Sequence, residues 1–168
     1  KRGIPLYGST NLAVNLDEFT RVHRVKALRP VGVDTWTVTP FDVYHDVPCL
    51  AYKLKSLVTN ESLLYMTDAG ECRYTIKDID YMIVEANHSQ ELIDRNERAG
   101  IVTKMLADRI KGTHMSIDTL CEYFATGRFD TSRLKHIYLV HLSDNNSNAE
   151  EFRSRVQQLV PNAEASVI

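Results

Sequence analysis

A nearly unbroken apolar run, Tyr81-Met82-Ile83-Val84, closes on Glu85, and a second, Ile137-Tyr138-Leu139-Val140, closes on His141. Runs this short and this apolar read as strands covered on both faces, which demands other layers against them. The segment between them supplies candidates: helical patterns run over 89–97, 101–110 and 116–124, with Ser116 as the expected N-cap of the last. A fourth helix is expected over 148–160, where Phe152, Val156, Leu159 and Val160 share one face.

The first half of the chain reads differently. Residues 4–7 form a short apolar strand, Ser9 is placed to cap a helix reaching about Phe19, and 23–28 alternate as a strand. Pro30, Gly32 and Asp34 punctuate a turn, and Pro40 divides two strands at 36–38 and 41–45. Residues 50–58 and 62–67 form a hairpin about Asn60-Glu61, and 165–168 read as a last strand. Strands first, then helices alternating with strands, predict an α/β (α+β layered) architecture in one domain, with no repeat or linker.

Composition narrows the class. With 43% hydrophobic and 25% charged residues the chain can bury a core, which excludes a disordered segment. A net charge of -2 gives no global basic field for a polyanion. Cys49, Cys72 and Cys121 form no C-x-x-C pair, and an odd count without a signal peptide points to reduced thiols in the cytoplasm. No apolar run reaches the roughly 18 residues of a membrane span. The chain opens on Lys1 without an initiator Met, at the edge of a strand, so residues are expected to precede it.

Three polar residues follow apolar strands: His45, Asp68 and His141. Side chains at strand carboxyl ends share a crevice in layered α/β folds. Two imidazoles and a carboxylate there suit a zinc-type cation and leave positions open for water or substrate. Each residue also has a plain alternative: a strand-end His commonly hydrogen-bonds, and Asp68-Ala69-Gly70 is composed as a turn.

The segments around these residues resemble the metallo-β-lactamase superfamily, on its phosphodiesterase and nuclease side. Tyr44-His45-Asp46-Val47-Pro48-Cys49-Leu50-Ala51-Tyr52 resembles the third metal motif, and Leu64-Tyr65-Met66-Thr67-Asp68-Ala69-Gly70 the strand ending in the bridging aspartate. Ile83-Val84-Glu85-Ala86-Asn87-His88 resembles the strand with a Glu-Ala ending. Thr113-His114-Met115-Ser116 resembles the His-x-Ser/Thr loop, and Tyr138-Leu139-Val140-His141-Leu142-Ser143-Asp144-Asn145-Asn146 the last metal motif. The pattern is similar to tRNase Z, to exonuclease-like proteins and, around Asn87-His88 and His114, to phage phosphodiesterases that cleave cyclic nucleotides and blunt host defence. The hallmark H-x-H-x-D-H is absent from this sequence.

The resemblance implies the C-terminal portion of an αββα sandwich, residues 1–168 lacking the N-terminal part and inactive alone. It implies two divalent metal ions, zinc ahead of manganese, held in part by His45, Asp68 and His141. It also implies His114 as general acid with Glu85 orienting it, although a helix N-terminus just after His114 disfavours a charged imidazole. Ser143 and Asn146 are candidate substrate-binding donors; the same residues and Asn145 also suit turns that cap the next helix, the reading favoured for Asn145. His88 could line the pocket, but the surface is the expected place for it. The implied substrate is a small nucleotide or a nucleic-acid phosphodiester, the implied setting a bacterial or phage-infected cytoplasm, and the implied assembly a homodimer. A nuclease would use a basic stripe, for which Lys104, Arg109 and Lys111 are the candidates. Other bonds cleaved on this fold, and a degenerate non-catalytic relative, are the competing readings.

Overall fold

The computed structural model describes residues 5–9 and 22–168. Strands β1 (Leu6–Gly8) and β2 (Val22–Arg24) pair in parallel. The main sheet has seven strands: β3 (Val31–Val33), β4 (Trp36–Val43), β5 (Cys49–Ser56), β6 (Ser62–Met66), β7 (Tyr81–Glu85), β8 (His136–Val140) and β9 (Glu164–Val167). Their order in space is their order along the chain. Neighbours from β3 to β6 run antiparallel, and those from β6 to β9 run parallel. Helices α1 (Gln90–Arg98), α2 (Lys104–Thr113) and α3 (Ile117–Ala125) connect β7 to β8, and α4 (Ala149–Leu159) connects β8 to β9. This is the expected α/β layering. The expected helix from Ser9 to Phe19 lies outside the described residues, as does the start of the strand expected at 4–7.

Each helix begins at a side-chain cap. Ser89, Thr103, Ser116 and Asn148 accept from the backbone N–H groups of Leu92, Leu106, Thr119 and Glu151, satisfying donors that a first turn leaves without partners. Asn148, and not Asn145, therefore starts α4.

The parallel half carries the core. Leu64, Met66, Met82, Val84, Ile137 and Leu139 are fully buried on one sheet face, together with Ile117 and Leu120 of α3 and Phe152 and Val156 of α4. Each such side chain contributes about 1.5–3 kcal/mol of transfer free energy. The opposite face is half-covered: Tyr81, Ile83 and Tyr138 are only partly buried, and Tyr65 is 41% exposed. The covering expected on both faces of 81–85 is thus complete on one face among the described residues.

Two strands differ from the sequence expectation. The structure adds β3, hidden in the sequence by Pro30, Gly32 and Asp34. It also runs β4 unbroken through Pro40. Pro40 is opposite Tyr52 of β5, and its carbonyl accepts from Leu28 N–H on the outer side. The nitrogen of a strand residue faces the same side as its carbonyl. Pro40 therefore lacks a donor only toward the edge, where β3 has already ended at its Val31–Val38 pair. In the segment expected as a strand at 23–28, pairing stops at Arg24.

Candidate active site

Strands β4, β6, β7 and β8 point the same way, because β4 and β6 both run antiparallel to β5 and the later pairs are parallel. Their carboxyl ends therefore open on one crevice. His45 lies just beyond β4, Asp68 beyond β6, Glu85 at the end of β7 and His141 beyond β8. His114 arrives from the other layer, as the C-cap of α2.

Glu85 is the hub. It is 0% exposed, and its Oε1 lies 2.6 Å from His114 Nδ1 and 2.8 Å from His141 Nδ1. Its Oε2 accepts from Ala69 N–H at 2.8 Å. An ionised carboxylate only accepts, so both imidazoles carry their proton on Nδ1 toward it, which leaves each Nε2 free. His45 Nδ1 lies 2.8 Å from Asp46 Oδ1 and 3.3 Å from the Val47 amide. Only the Val47 contact is a hydrogen bond, with the Val47 N–H donating to Nδ1, so this ring accepts at Nδ1 and is not held by a carboxylate. Two imidazoles, His114 and His141, are thus held from behind by one carboxylate, the arrangement that turns Nε2 into a ligand atom or a proton donor.

Asp68 Oδ1 lies 3.6 Å from His141 Nδ1 and 3.9 Å from His114 Nδ1. The ring centroids of His114 stand 5.8 Å from His45 and 5.2 Å from His141. The tight donor groups are His45–Asp68–His114 and Glu85–His114–His141, each with one ligand atom per residue within 4.8 Å of the others. His114 belongs to both groups; the expected trio of His45, Asp68 and His141 forms no single group among the described residues, Asp68 approaching His141 at 3.6 Å and sharing a group with His45.

The backbone is strained where chemistry would need it. Asp68 has φ 50° and His141 φ 59°, a left-handed conformation that costs non-glycine residues energy and gathers at functional sites. Neighbours hold it: Asn87 Nδ2 donates to the His141 carbonyl at 2.9 Å, and Gly70 N–H donates to the Tyr44 carbonyl at 2.8 Å. Gly70 is required here, because a Cβ would sit 2.4 Å from the Gly112 carbonyl oxygen.

The hydrogen bond that His114 donates to Glu85 raises its pKa above the ordinary histidine value. Burial opposes this, the charges of Glu85 and Asp68 reinforce it, and Arg109 opposes it. The C-terminal end of α2 also favours a cation at His114, which answers the objection from the following helix N-terminus. Burial, then the charge of Asp68, pushes the Cys49 thiol upward, so it is a protonated neighbour and not a ready thiolate ligand.

Other expected residues are placed differently. Asn146 is 2% exposed, donates from Nδ2 to Ser143 Oγ at 3.1 Å and accepts from Asn96 Nδ2 at 2.9 Å. Both ends of its amide, and the Ser143 hydroxyl with it, serve the fold. His88 is not at the surface but 1% exposed, its Nδ1 without a partner and burial pushing its pKa down to about 4. The cause is that the chain after β7 runs inward: Asn87 N–H donates to Met115 O, and Ile117 N–H to His88 O. Asp46 was legible only as a neighbour of His45. The basic candidates are all paired: Arg109 with Asp46 at 3.0 Å, Lys111 with Asp94 at 2.6 Å and Lys104 with Asp108 at 3.2 Å.

Superposition on solved structures decides the fold. The metallo-β-lactamase fold protein YhfI from Bacillus subtilis matches 98% of this chain with a TM-score of 0.63 at 15% identity. The chain has the metallo-β-lactamase fold. A diphosphatase from the PhnP family matches 98% of the chain (TM-score 0.58, 17% identity), and human tRNase Z, short form, matches 100% (TM-score 0.54, 14% identity). The chain spans 61%, 55% and 66% of those three chains, so it corresponds to part of each metallo-β-lactamase-fold neighbour. No family model and no curated protein matches the sequence. No helix among the described residues is long and apolar enough to cross a membrane.

Proposed function

We propose that this chain belongs to a metal-dependent phosphodiester hydrolase and contributes His45, Asp68 and His141 as metal ligands and His114 as general acid. One observation carries the reading: the buried Glu85 carboxylate holds the Nδ1 atoms of His114 and His141 at 2.6 and 2.8 Å while their Nε2 atoms stay free. The donor set of imidazole and carboxylate, with no thiolate, fits zinc or manganese. His45 and Asp68 would hold one ion, and Asp68 and His141 a second. When bound, the ions would polarise phosphoryl oxygens and activate water. The remaining ligands would come from an H-x-H-x-D-H segment upstream of Lys1.

The chain's own chemistry is proton delivery. Hydrolysis adds water across the P–O bond: the water oxygen joins phosphorus, and the departing ribose oxygen needs a proton. His114 supplies it from Nε2, while Glu85 stabilises the imidazolium through Nδ1. The diphosphatase and tRNase Z likenesses support phosphoester chemistry on this fold. A small nucleotide, a cyclic one first, suits the crevice better than a nucleic acid, because Lys104, Arg109 and Lys111 are each neutralised by an acid. The free Cys49, Cys72 and Cys121 suit a reducing, cytoplasmic setting, and a homodimer is the assembly to look for.

Calorimetric titration of the full-length protein with zinc and with manganese tests the reading. Saturable binding, weakened in His141→Ala and Asp68→Ala, is the expected result. Binding that those substitutions leave unchanged, or no binding by either metal, removes the proposed centre.

A further inference from the structure

Asn87 follows the end of β7 and is 8% exposed. It ties both histidine-bearing loops to that strand. Its N–H donates at 2.8 Å to the carbonyl of Met115, the neighbour of His114, and its carbonyl accepts at 2.8 Å from the N–H of Ser143, just beyond His141. Its side-chain Nδ2 donates to the His141 carbonyl at 2.9 Å. Any residue but proline could make the two backbone bonds; the bond to His141 needs this side chain.

That bond has a particular task. Successive carbonyls along a strand point to opposite neighbours. The Leu139 carbonyl accepts from Ile168 N–H on the β9 side at 3.2 Å, and the Val140 carbonyl from Ala86 N–H on the β7 side at 3.1 Å. The His141 carbonyl is therefore due on the β9 side. The left-handed turn at His141, φ 59°, breaks the alternation, and the carbonyl meets Asn87 on the β7 side. Such a turn is costly for any residue with a Cβ and persists only where neighbours hold it. His114 has no such need. Its backbone is extended, with φ −121°, and its side chain is 20% exposed against 43% for His141.

We infer that Asn87 is a positioning residue: its amide holds the turn at His141, and the turn delivers that imidazole to Glu85 with Nε2 free. Only the cation at Nε2 rests on the proposed hydrolase reading; the holding of the ring belongs to the metal-free protein. The requirement is for a donor. An aspartate in its place would present acceptors alone to a carbonyl.

The test is nuclear magnetic resonance of the histidine rings in isotope-labelled full-length protein, metal-free and at mildly alkaline pH. The parent should show His114 and His141 each with its proton fixed on Nδ1. In Asn87→Asp, which keeps the volume and both backbone bonds, and in Asn87→Ala, the His141 signal should average between tautomers while the His114 signal stays. A His141 signal unchanged in both variants overturns the inference. So does an equal loss at both rings, which marks general loosening. Zinc titration adds a second readout. Asn87→Ala should weaken binding roughly 10–100-fold, the scale of a lost supporting contact, and should cost nothing further when added to His141→Ala. Losses that add in the double variant place the action of Asn87 elsewhere and refute the inference. A parent that binds no zinc ends the hydrolase reading, and the ring signals still decide whether Asn87 holds His141.

Discussion

Two glycines face each other across the crevice floor, and the same substitution at each should act with opposite sign. A Cβ on Gly70 would lie 2.4 Å from the Gly112 carbonyl oxygen, 3.1 Å from its carbonyl carbon and 3.3 Å from that of Thr113. A comfortable contact needs roughly 3.4 Å, so the loop and the end of α2 must part by about 1 Å. Both partners are backbone, with no side chain to swing aside. Overpacking of this kind costs about 1–3 kcal/mol, which corresponds to roughly 2–12 °C of melting temperature for a chain of this size. A Cβ on Gly112 meets nothing within 4 Å. Gly112 sits in α2 without a positive φ, so Gly112→Ala should stabilise by about 0.5–1 kcal/mol, the entropy that glycine loses in a helix. Urea denaturation of both variants against the parent measures the two shifts. The loop bearing Gly70 also bears Asp68, and α2 ends at His114, so Gly70→Ala should in addition weaken zinc binding. A Gly70→Ala chain as stable as the parent, or two shifts of equal sign, would refute the packing argument.

Other outcomes follow from the same geometry. Glu85→Gln should keep the fold but release both imidazoles, lowering zinc affinity roughly 10–100-fold; calorimetry showing parental affinity would remove the hub role. His88 has a depressed pKa of about 4 against 6.5 when unfolded, so the unfolded chain binds more protons between those values. Stability should therefore fall as pH drops through that window, by at most about 3 kcal/mol; denaturation at pH 7 and pH 4.5 should show a smaller fall in His88→Phe, and an equal fall in both counts against it. Asp80 is 3% exposed, accepts from Ser62 N–H at 2.9 Å and pairs with Arg133 at 3.0 Å. Asp80→Ala should destabilise by about 3 kcal/mol, the scale of a broken, partly buried pair, and a loss under about 1 kcal/mol by thermal melting would contradict that account.

The sequence was informative wherever short-range chemistry decides. The apolar run at Tyr81–Glu85 needs no tertiary partner to be read, and Ser116 caps α3 through its own local bond. It was uninformative where partners are distant. Pro40 looked like a break because its outer edge, free of a ladder, is a fact about β3. His88 looked solvated because nothing nearby in sequence shows that Met115 and Ile117 take up the backbone on either side of it. Asn146 looked like a substrate donor because Asn96, fifty positions away, cannot be seen from its own motif. For the candidate site, the strand ends could be read, but Glu85's grip on two rings depends on β7 lying between β6 and β8.

That side-by-side order in the large sheet bears on how the chain assembles. Each strand leaving the ribosome finds its docking edge already synthesised, and no late segment has to wedge between two earlier ones. The crevice closes stepwise as β4, β6, β7 and then β8 line up. His141, carried by the last of these, is the final piece to arrive, so a nascent chain cannot gather the histidine and carboxylate groups of the crevice until nearly the whole sheet is in place.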